Sequence, residues 1–354
     1  MRYSYSGDGT ADENLPLMTI HAIFYKQADF AAETLRSMLA QTYGNVEVIA
    51  SDDCSPDGTA EVLLDVAREY KGPHRLIVNV NDSNMGIGDH FACVNALSHG
   101  EWLTSLGGDD LAEPDYLQTI YNYAKRYPDV VAIGCAATTI DEEGHVTGEA
   151  YKVAKAKLFC RYEFGIPKLS LNPDGDANVF IIAGCVSTYK RRLLEILPFP
   201  KGLMAEDLFL SFRAALMGDV LAVPEKCVRQ RINSNSISRA GHRAHARAAR
   251  KAYRRKMMAL TFLSTDAALN EIPVIRPDVD SRFCDEVSEI ASESLLGSFA
   301  LADPFGGNLP RYLDAFRRVR RAKSTFAILA KARACGVLIK TFRLMMKGAL
   351  KWHQ

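Results

Sequence analysis

The chain has 354 residues, 48% of them hydrophobic and 24% charged, with a formal net charge of +1. This is the composition of a soluble globular protein with material for a sizeable core, and the overall charge points to no particular partner. The eight cysteines stand singly without a CxxC pair, which argues against a disulfide framework, and no stretch reaches the ~18 uncharged apolar residues of a membrane span.

The opening MRYSYSGDGTADENLPL is polar and acidic, unlike a signal or transit peptide. Residues 1–16 therefore read as a flexible lead-in, and a reducing cytoplasm is the expected compartment. Met18–Tyr25 (MTIHAIFY) predicts a buried strand, and Phe30–Gln41 a helix with Leu35, Met38 and Leu39 at helical spacing. Val46–Ser51 is a second strand, running into the turn-rich loop DDCSPDGT. Ala60–Tyr70 predicts a helix, His74–Val80 a strand, His90–Ser98 a short helix and Glu101–Leu106 a strand. Tyr116–Arg126 and Val130–Ala136 complete the alternation. Strands and helices joined by short connections predict an α/β fold, with a mainly parallel central sheet and helices on both faces. Ligands of such sheets sit outside the carboxyl ends of the strands.

Asp141–Asp176 reads as a polar, irregular excursion. Val179–Val186 returns as a strand, Lys190–Leu197 as a helix, and AEDLFLSFRAALMG begins another. Asp219–Pro224 and QRINSNSIS follow, and then the character changes. From Arg239 to the end there are 22 Lys and Arg against 10 Asp and Glu, whereas the first 238 residues carry 21 against 32. A boundary near 239 separates an acidic body from a helical, basic C-terminal region at 239–354.

Three acidic pairs fall at expected loop positions: Asp52-Asp53, Asp109-Asp110 and Glu206-Asp207. Each alone would pass for a turn or helix cap. Three on one rim of one sheet suggest a working edge. A carboxylate pair is a partial cage of the kind Mg²⁺ or Mn²⁺ completes with water and substrate phosphates. Gly107 and Gly108, just before the middle pair, would let the backbone come close to that ligand. There is no GxxxxGK[ST], no GxGxxG after Tyr25 and no GxSxG, which argues against a P-loop NTPase, a dinucleotide dehydrogenase and an α/β-hydrolase elbow. Gly86-x-Gly88 is too short a match to carry meaning. The histidines form no metal-ligand spacing, and His21 reads as a core residue.

The succession FYKQADFAAETLRSMLAQTYGNVEVIASDDCSPDGT, NMGIGDHFACVNALSHGEWLTSLGGDDLAEPDYL and AEDLFL resembles a family 2 glycosyltransferase with the GT-A fold, over about residues 17–238. The resemblance implies an inverting enzyme that uses a nucleotide-sugar donor. It places Tyr25 against the nucleoside base, Ile23 there through its backbone, and Asp53 as acceptor of a hydrogen bond from the base. It makes Asp110 the direct ligand of a Mn²⁺ or Mg²⁺ cofactor, with Asp109 near the ribose and the metal shell. It makes Asp207 the catalytic base, Glu206 its acidic neighbour, and sets Glu206 and Gly184 on the acceptor side, beside Cys185. Arg231 is retained as a phosphate ligand, but Asn233 stands where relatives often carry histidine.

The function this implies is transfer of a sugar from a UDP-linked donor to a saccharide or lipid-linked saccharide acceptor. After Asp314 there are 11 Lys and Arg and no acid, interleaved with apolar residues. That pattern suits a basic amphipathic helix on the anionic inner face of the cell membrane; a cap on the catalytic domain and an oligomer contact are the alternatives. Nucleic-acid binding is not expected, since no reading motif accompanies the charge. The alternatives to the transferase are a catalytically silent binding subunit of the same fold and a nucleotide-sugar nucleotidyltransferase.

Overall fold

A computed structural model describes residues 2–5, 11–161, 169–170, 174, 179–203, 206–233, 271 and 274–277. The chain divides into two compact units, Met1–Ser234 and Asn235–Gln354. The basic region expected at 239–354 lies outside the described residues apart from the few at 271–277. Among the described residues no helix is long and apolar enough to cross a membrane.

The first unit is built on one mixed sheet. Its parallel heart is β2 (Met18–Phe24), β3 (Val46–Asp52), β4 (Arg75–Val80) and β5 (Trp102–Gly107), with β1 (Arg2–Tyr5) added antiparallel to β4. β3 is buried along its whole length and β2 at all but one position, which is why both read as apolar runs rather than alternating ones. The far half contains β6 (Leu111–Ala112), β7 (Val130–Ile140), β8 (Val146–Ala150), β9 (Lys157–Phe159), β12 (Ser187–Lys190) and β13 (Asp219–Arg231). The path across the sheet is β1-β4-β3-β2-β5-β12-β7-β13-β6, with β8 on β7 and β9 on β13. Two short segments, β10 (Leu169–Ser170) and β11 (Val179–Phe180), pair with each other separately.

The helices are α1 (Ala28–Leu39), α2 (Thr59–Glu69), α3 (Ile87–Leu97), α4 (Tyr116–Arg126), α5 (Arg191–Glu195) and α6 (Glu206–Met217). In α1 the buried residues are Ala31, Thr34, Leu35 and Met38, one stripe at helical period. α1 packs on α2, while α3 and α5 pack on α6. Period-2 alternation sends His21 and Ile23 of β2 to the α3 side, where His21 meets Phe91 edge-on at 5.4 Å and Ile23 packs beside Val94 and Leu97. The loop after β3 is tied down by Asp57, which accepts the Ala28 and Thr59 amides at 3.3 and 3.2 Å and so fixes the starts of α1 and α2. Burial acts to raise the Asp57 pKa, but the Thr59 hydroxyl together with these amides holds its carboxyl below the usual range.

Four expectations change. Arg2–Tyr5, within the stretch read as a lead-in, forms a strand because it covers the otherwise unpaired edge of β4. The strand expected over Val179–Val186 reduces to Val179–Phe180 and a 3₁₀ turn at Gly184–Val186. The sheet strand there is the polar Ser187–Lys190, held between β5 and β7 with Thr188 Oγ1 2.9 Å from Thr104 Oγ1. The stretch past Pro224, left without an element, continues as one 13-residue strand because register shifts around Pro224 and Glu225 absorb the proline. The Asp141–Asp176 excursion carries β8 to β10 and lengthens β7 to Ile140.

Gly86-x-Gly88, uninformative as a motif, has a structural reason. Gly86 adopts φ 79°, and a Cβ on Gly88 would lie 1.7 Å from the Leu203 carbonyl oxygen. Only glycine lets α3 approach that backbone. Gly88→Ala is expected to cost about 1–3 kcal/mol by overpacking; an unchanged denaturant midpoint would refute the close contact.

Candidate active site

The sheet delivers the first two acid pairs to one rim. Asp52 ends β3, and Asp109-Asp110 follow the end of its parallel neighbour two strands away, β5. Burial raises the Asp52 pKa; its Oδ2 accepts the Ser55 amide at 2.9 Å, while its buried Oδ1 has no hydrogen-bond partner among the described residues. Asp53 is the better-served of the two. Its Oδ1 accepts Asn81 Nδ2 and the Met85 amide, and its Oδ2 the Gly86 amide, each at 2.9 Å. Three of a carboxylate's four acceptor positions are thus filled, and the carboxylate is held in one orientation.

Asp109 and Asp110 sit on a backbone that only glycine permits. A Cβ on Gly107 would lie 2.6 Å from Asp110 Oδ2, and one on Gly108 would lie 2.7 Å from Phe24 Cδ1 and 2.8 Å from the Ile23 carbonyl. Asp110 is 3% exposed. Burial, and then the charge of Asp109, push its pKa up to about 8; the Arg231 amide, donating to Oδ1 at 2.8 Å, works the other way. Burial likewise raises Asp109, whose Oδ2 accepts Asn233 Nδ2 at 2.5 Å. Two neighbouring carboxylates that both resist ionisation fit a hard divalent cation, which would supply the missing positive charge.

The third pair opens α6. Burial raises both members, and Asp207 adds its repulsion to lift Glu206 to about 8. Asp207 Oδ1 accepts the Leu208 amide at 2.7 Å, and Gly184 supplies a second backbone hydrogen bond. A Cβ on Gly184 would lie 3.1 Å from Glu206 Oε1, so the turn at Gly184 lies directly against this pair. The next residue, Cys185, feels the charges of Asp110 and Asp109, which add to burial in raising its thiol pKa. One short turn therefore reaches from the α6 carboxylates toward the β5 carboxylates.

Arg231, expected on phosphate, has its guanidinium engaged within the protein. Its guanidinium donates to the Asp109, Asp141 and Glu142 carbonyls at 3.0, 3.2 and 2.8 Å and to Glu33 Oε2 at 2.6 Å, and it stacks over Phe30. Its side chain is 1% exposed. These are the bonds of a strut, tying the Asp109 loop to α1 and to the β7–β8 turn. Asn233, where relatives often carry histidine, supports Asp109 through its side-chain amide. Ile23 packs its side chain against the core beside Val94 and Leu97, next to the end of β2. Tyr25 is 44% exposed, with Lys26 Nζ 5.2 Å from its ring centroid.

Two groups escaped the sequence reading. His90, 2% exposed on α3, hydrogen-bonds Ser51 Oγ at 2.6 Å; Asn79 bridges Ser51 and Asn81, and Asn81 reaches Asp53. Burial pulls the His90 pKa down to about 4, against the pull of Asp53, so this network is neutral at its far end. Its members come from three elements, and no spacing in the chain announces them. Second, Asp141, Glu143 and His145 at the β7–β8 turn bring ligand atoms within 4.8 Å of one another and can hold a divalent metal. The histidine spacing gave no hint of this, because the other ligands are carboxylates. Backbone strain also gathers at the rim. Among the described residues three non-glycines have positive φ: Lys26, Cys54 and Tyr151. The first two directly follow Tyr25 and Asp53.

The sequence model described as glycosyl transferase family 2 matches residues 19–197, half of the chain. The chain belongs to glycosyl transferase family 2. The match includes Asp53, Asp109 and Asp110 and ends before Glu206. Glycosyltransferase GlyA of Streptococcus pneumoniae serotype 4 is 25% identical over 229 residues, covering 63% of this chain but 31% of GlyA. An uncharacterized glycosyltransferase of Haemophilus influenzae is 23% identical over 229 residues, covering 64% of this chain and 68% of that protein. Among solved structures, residues 1–349 of Staphylococcus aureus TarS in complex with UDP-GlcNAc superpose with a TM-score of 0.57 at 15% identity, covering 94% of this chain and 92% of that one. That likeness shows the GT-A-like fold.

For this family member the role of Arg231 is testable without substrate. Arg231→Met leaves three carbonyls and Glu33 without their donor, and is expected to lower unliganded stability by about 2 kcal/mol or more. An arginine that served phosphate alone would leave the melting temperature of the unliganded protein unchanged.

Proposed function

We propose that the chain is a metal-dependent, inverting glycosyltransferase that moves a sugar from a nucleotide-diphosphate donor, UDP-linked, to a saccharide or lipid-linked saccharide acceptor. The observation that carries this reading is the two carboxylate pairs, Asp109-Asp110 with Asp110 buried and the half-buried Glu206-Asp207, reached from one another through the Gly184–Cys185 turn.

Asp110, with Asp109 beside it, would hold Mn²⁺ or Mg²⁺, whose charge is the Lewis acid that a leaving diphosphate needs. Asp53, clamped by three donors, keeps one acceptor position for an N–H on the base edge, and the exposed Tyr25 ring offers a face for stacking. Arg231 acts on this site as a positioning residue, through Asp109 and Asp110. Asp207 takes the proton of the acceptor hydroxyl as that oxygen attacks the anomeric carbon from the face opposite the leaving group. A raised pKa makes Asp207 a stronger base than an ordinary carboxylate. Glu206, held up to about 8, stays protonated at neutral pH and leaves the negative charge to its neighbour. The TarS structure in complex with UDP-GlcNAc shows that a protein of this fold takes such a donor, which supports the UDP assignment.

Titration with UDP, with and without Mn²⁺, is expected to show binding that depends on metal; equal affinity in both would overturn the metal site. Asp207→Asn should lower turnover by about 10²–10⁴-fold while metal-dependent UDP binding persists. Loss of UDP binding in that variant would remove Asp207 from the role of base. At saturating Mn²⁺, kcat/KM should rise with pH along an acid limb, because the raised Asp207 is charged only above its pKa; a profile with no acid limb contradicts it.

The basic C-terminal region is proposed to rest on the anionic inner face of the cell membrane, where lipid-linked acceptors are presented. Its support is the excess of 22 Lys and Arg over 10 Asp and Glu from Arg239 onward. The full chain should sediment with phosphatidylserine vesicles and be released by salt; equal binding to uncharged phosphatidylcholine vesicles would refute the electrostatic anchor.

A further inference from the structure

Three half-buried polar side chains from distant parts of the chain meet beside Asp110, and the proton transfer described above uses none of them. Gln230 Nε2 donates to Tyr151 Oη at 3.1 Å and to Cys185 Sγ at 3.5 Å, and the Cys185 thiol lies 4.0 Å from the same phenol oxygen. The charge of Asp110 bears on both Tyr151 and Cys185. The cluster is anchored at both acid pairs: Cys185 follows Gly184, which abuts Glu206, and Gln230 precedes Arg231, whose amide binds Asp110. Tyr151 holds a backbone φ of 53°, a left-handed conformation that costs a tyrosine energy and that the surrounding structure must maintain.

The hydrogen-bond inventory leaves two groups over. Gln230 commits both amide protons within the cluster, and among the described residues no donor reaches its Oε1. Tyr151 Oη accepts from Gln230 and from the thiol, so its own proton remains to be donated. The cluster therefore presents one acceptor and one donor side by side. In an inverting transfer the sugar ring lies between the leaving diphosphate and the base. Resting on the transferase reading above, we propose that Tyr151 and Gln230, braced by Cys185, bind a substituent of the transferred sugar that both donates and accepts a hydrogen bond, a hydroxyl or an acetamido group. They are specificity-determining residues for the donor sugar, and they do not touch the nucleotide.

The test compares the affinity of UDP with that of UDP-glucose and UDP-N-acetylglucosamine, all with Mn²⁺, in the full-length protein. The wild type should bind at least one UDP-sugar more tightly than UDP; a gain with UDP-N-acetylglucosamine alone identifies the acetamido group, and a gain with both the hydroxyls. Tyr151→Phe should reduce that gain by about tenfold while UDP binding stays within about twofold. Gln230→Met should do the same and stands in if the phenylalanine variant does not fold. A folded variant that keeps the wild-type ratio of UDP-sugar to UDP affinity overturns the proposal, as does a wild type with no gain for either sugar. Absence of Mn²⁺-dependent UDP binding in the wild type instead overturns the transferase reading itself.

Discussion

The structure at the rim is organised around keeping two carboxylates, Asp109 and Asp110, adjacent in a place from which water is largely excluded. Unaided, that arrangement is unfavourable, since burial and mutual repulsion both favour the protonated forms. The surroundings hold the carboxylates in place without neutralising them. Gly107 and Gly108 have no side chain because the carboxylate of Asp110, Phe24 and the Ile23 carbonyl already occupy that space. The Arg231 amide and Asn233 each donate one hydrogen bond, enough to fix orientation. The Arg231 guanidinium is turned to carbonyls and to Glu33, and its charge offsets only part of the burial of the two aspartates. A site built to be stable alone would aim that charge at the aspartates. A divalent cation placed between these two carboxylates would offset both the burial and the repulsion that now favour their protonated forms.

The same logic separates the two acid pairs. Glu206-Asp207 is half-buried and also raised, but the donors to Asp207 are the Leu208 and Gly184 backbone amides, at the start of a helix. These groups partly stabilise negative charge on Asp207 without supplying a counter-cation. The result suits a group that must alternate between charged and protonated, while the β5 pair suits one that stays charged when a cation is bound.

Much of this was legible in the chain, and the limits have physical causes. β2, β3 and α1 to α4 declare themselves because parallel strands buried on both faces are apolar runs and the helices carry one apolar stripe. Asp53, Asp109-Asp110 and Glu206-Asp207 stand out because a strand end or helix start followed by paired acids is a local pattern. What escaped is non-local. Ser187–Lys190 is polar and is a strand only because β5 and β7 leave a gap between them. Pro224 hides β13 because a bulge, absent from any propensity, accommodates it. Arg231 reads as a phosphate ligand until its partners, 89 to 198 residues away in sequence, are seen to occupy it.

Strain follows the same division. Lys26, Cys54 and Tyr151 adopt positive φ although none is glycine, and each is pinned by bonds to other segments: Lys26 through the Ser55 hydroxyl, Cys54 through the Asp82 carbonyl, Tyr151 through Gln230. A tyrosine in that conformation is informative because glycine or asparagine would adopt it at lower cost. Retaining the aromatic side chain at that cost makes sense only if its hydroxyl must be delivered to a particular place. The place is beside Asp110, where the phenol meets Gln230 and Cys185. Three segments with no sequence signal in common thereby form one surface, and what it can recognise is decided by the two hydrogen-bonding positions left over after they have satisfied one another.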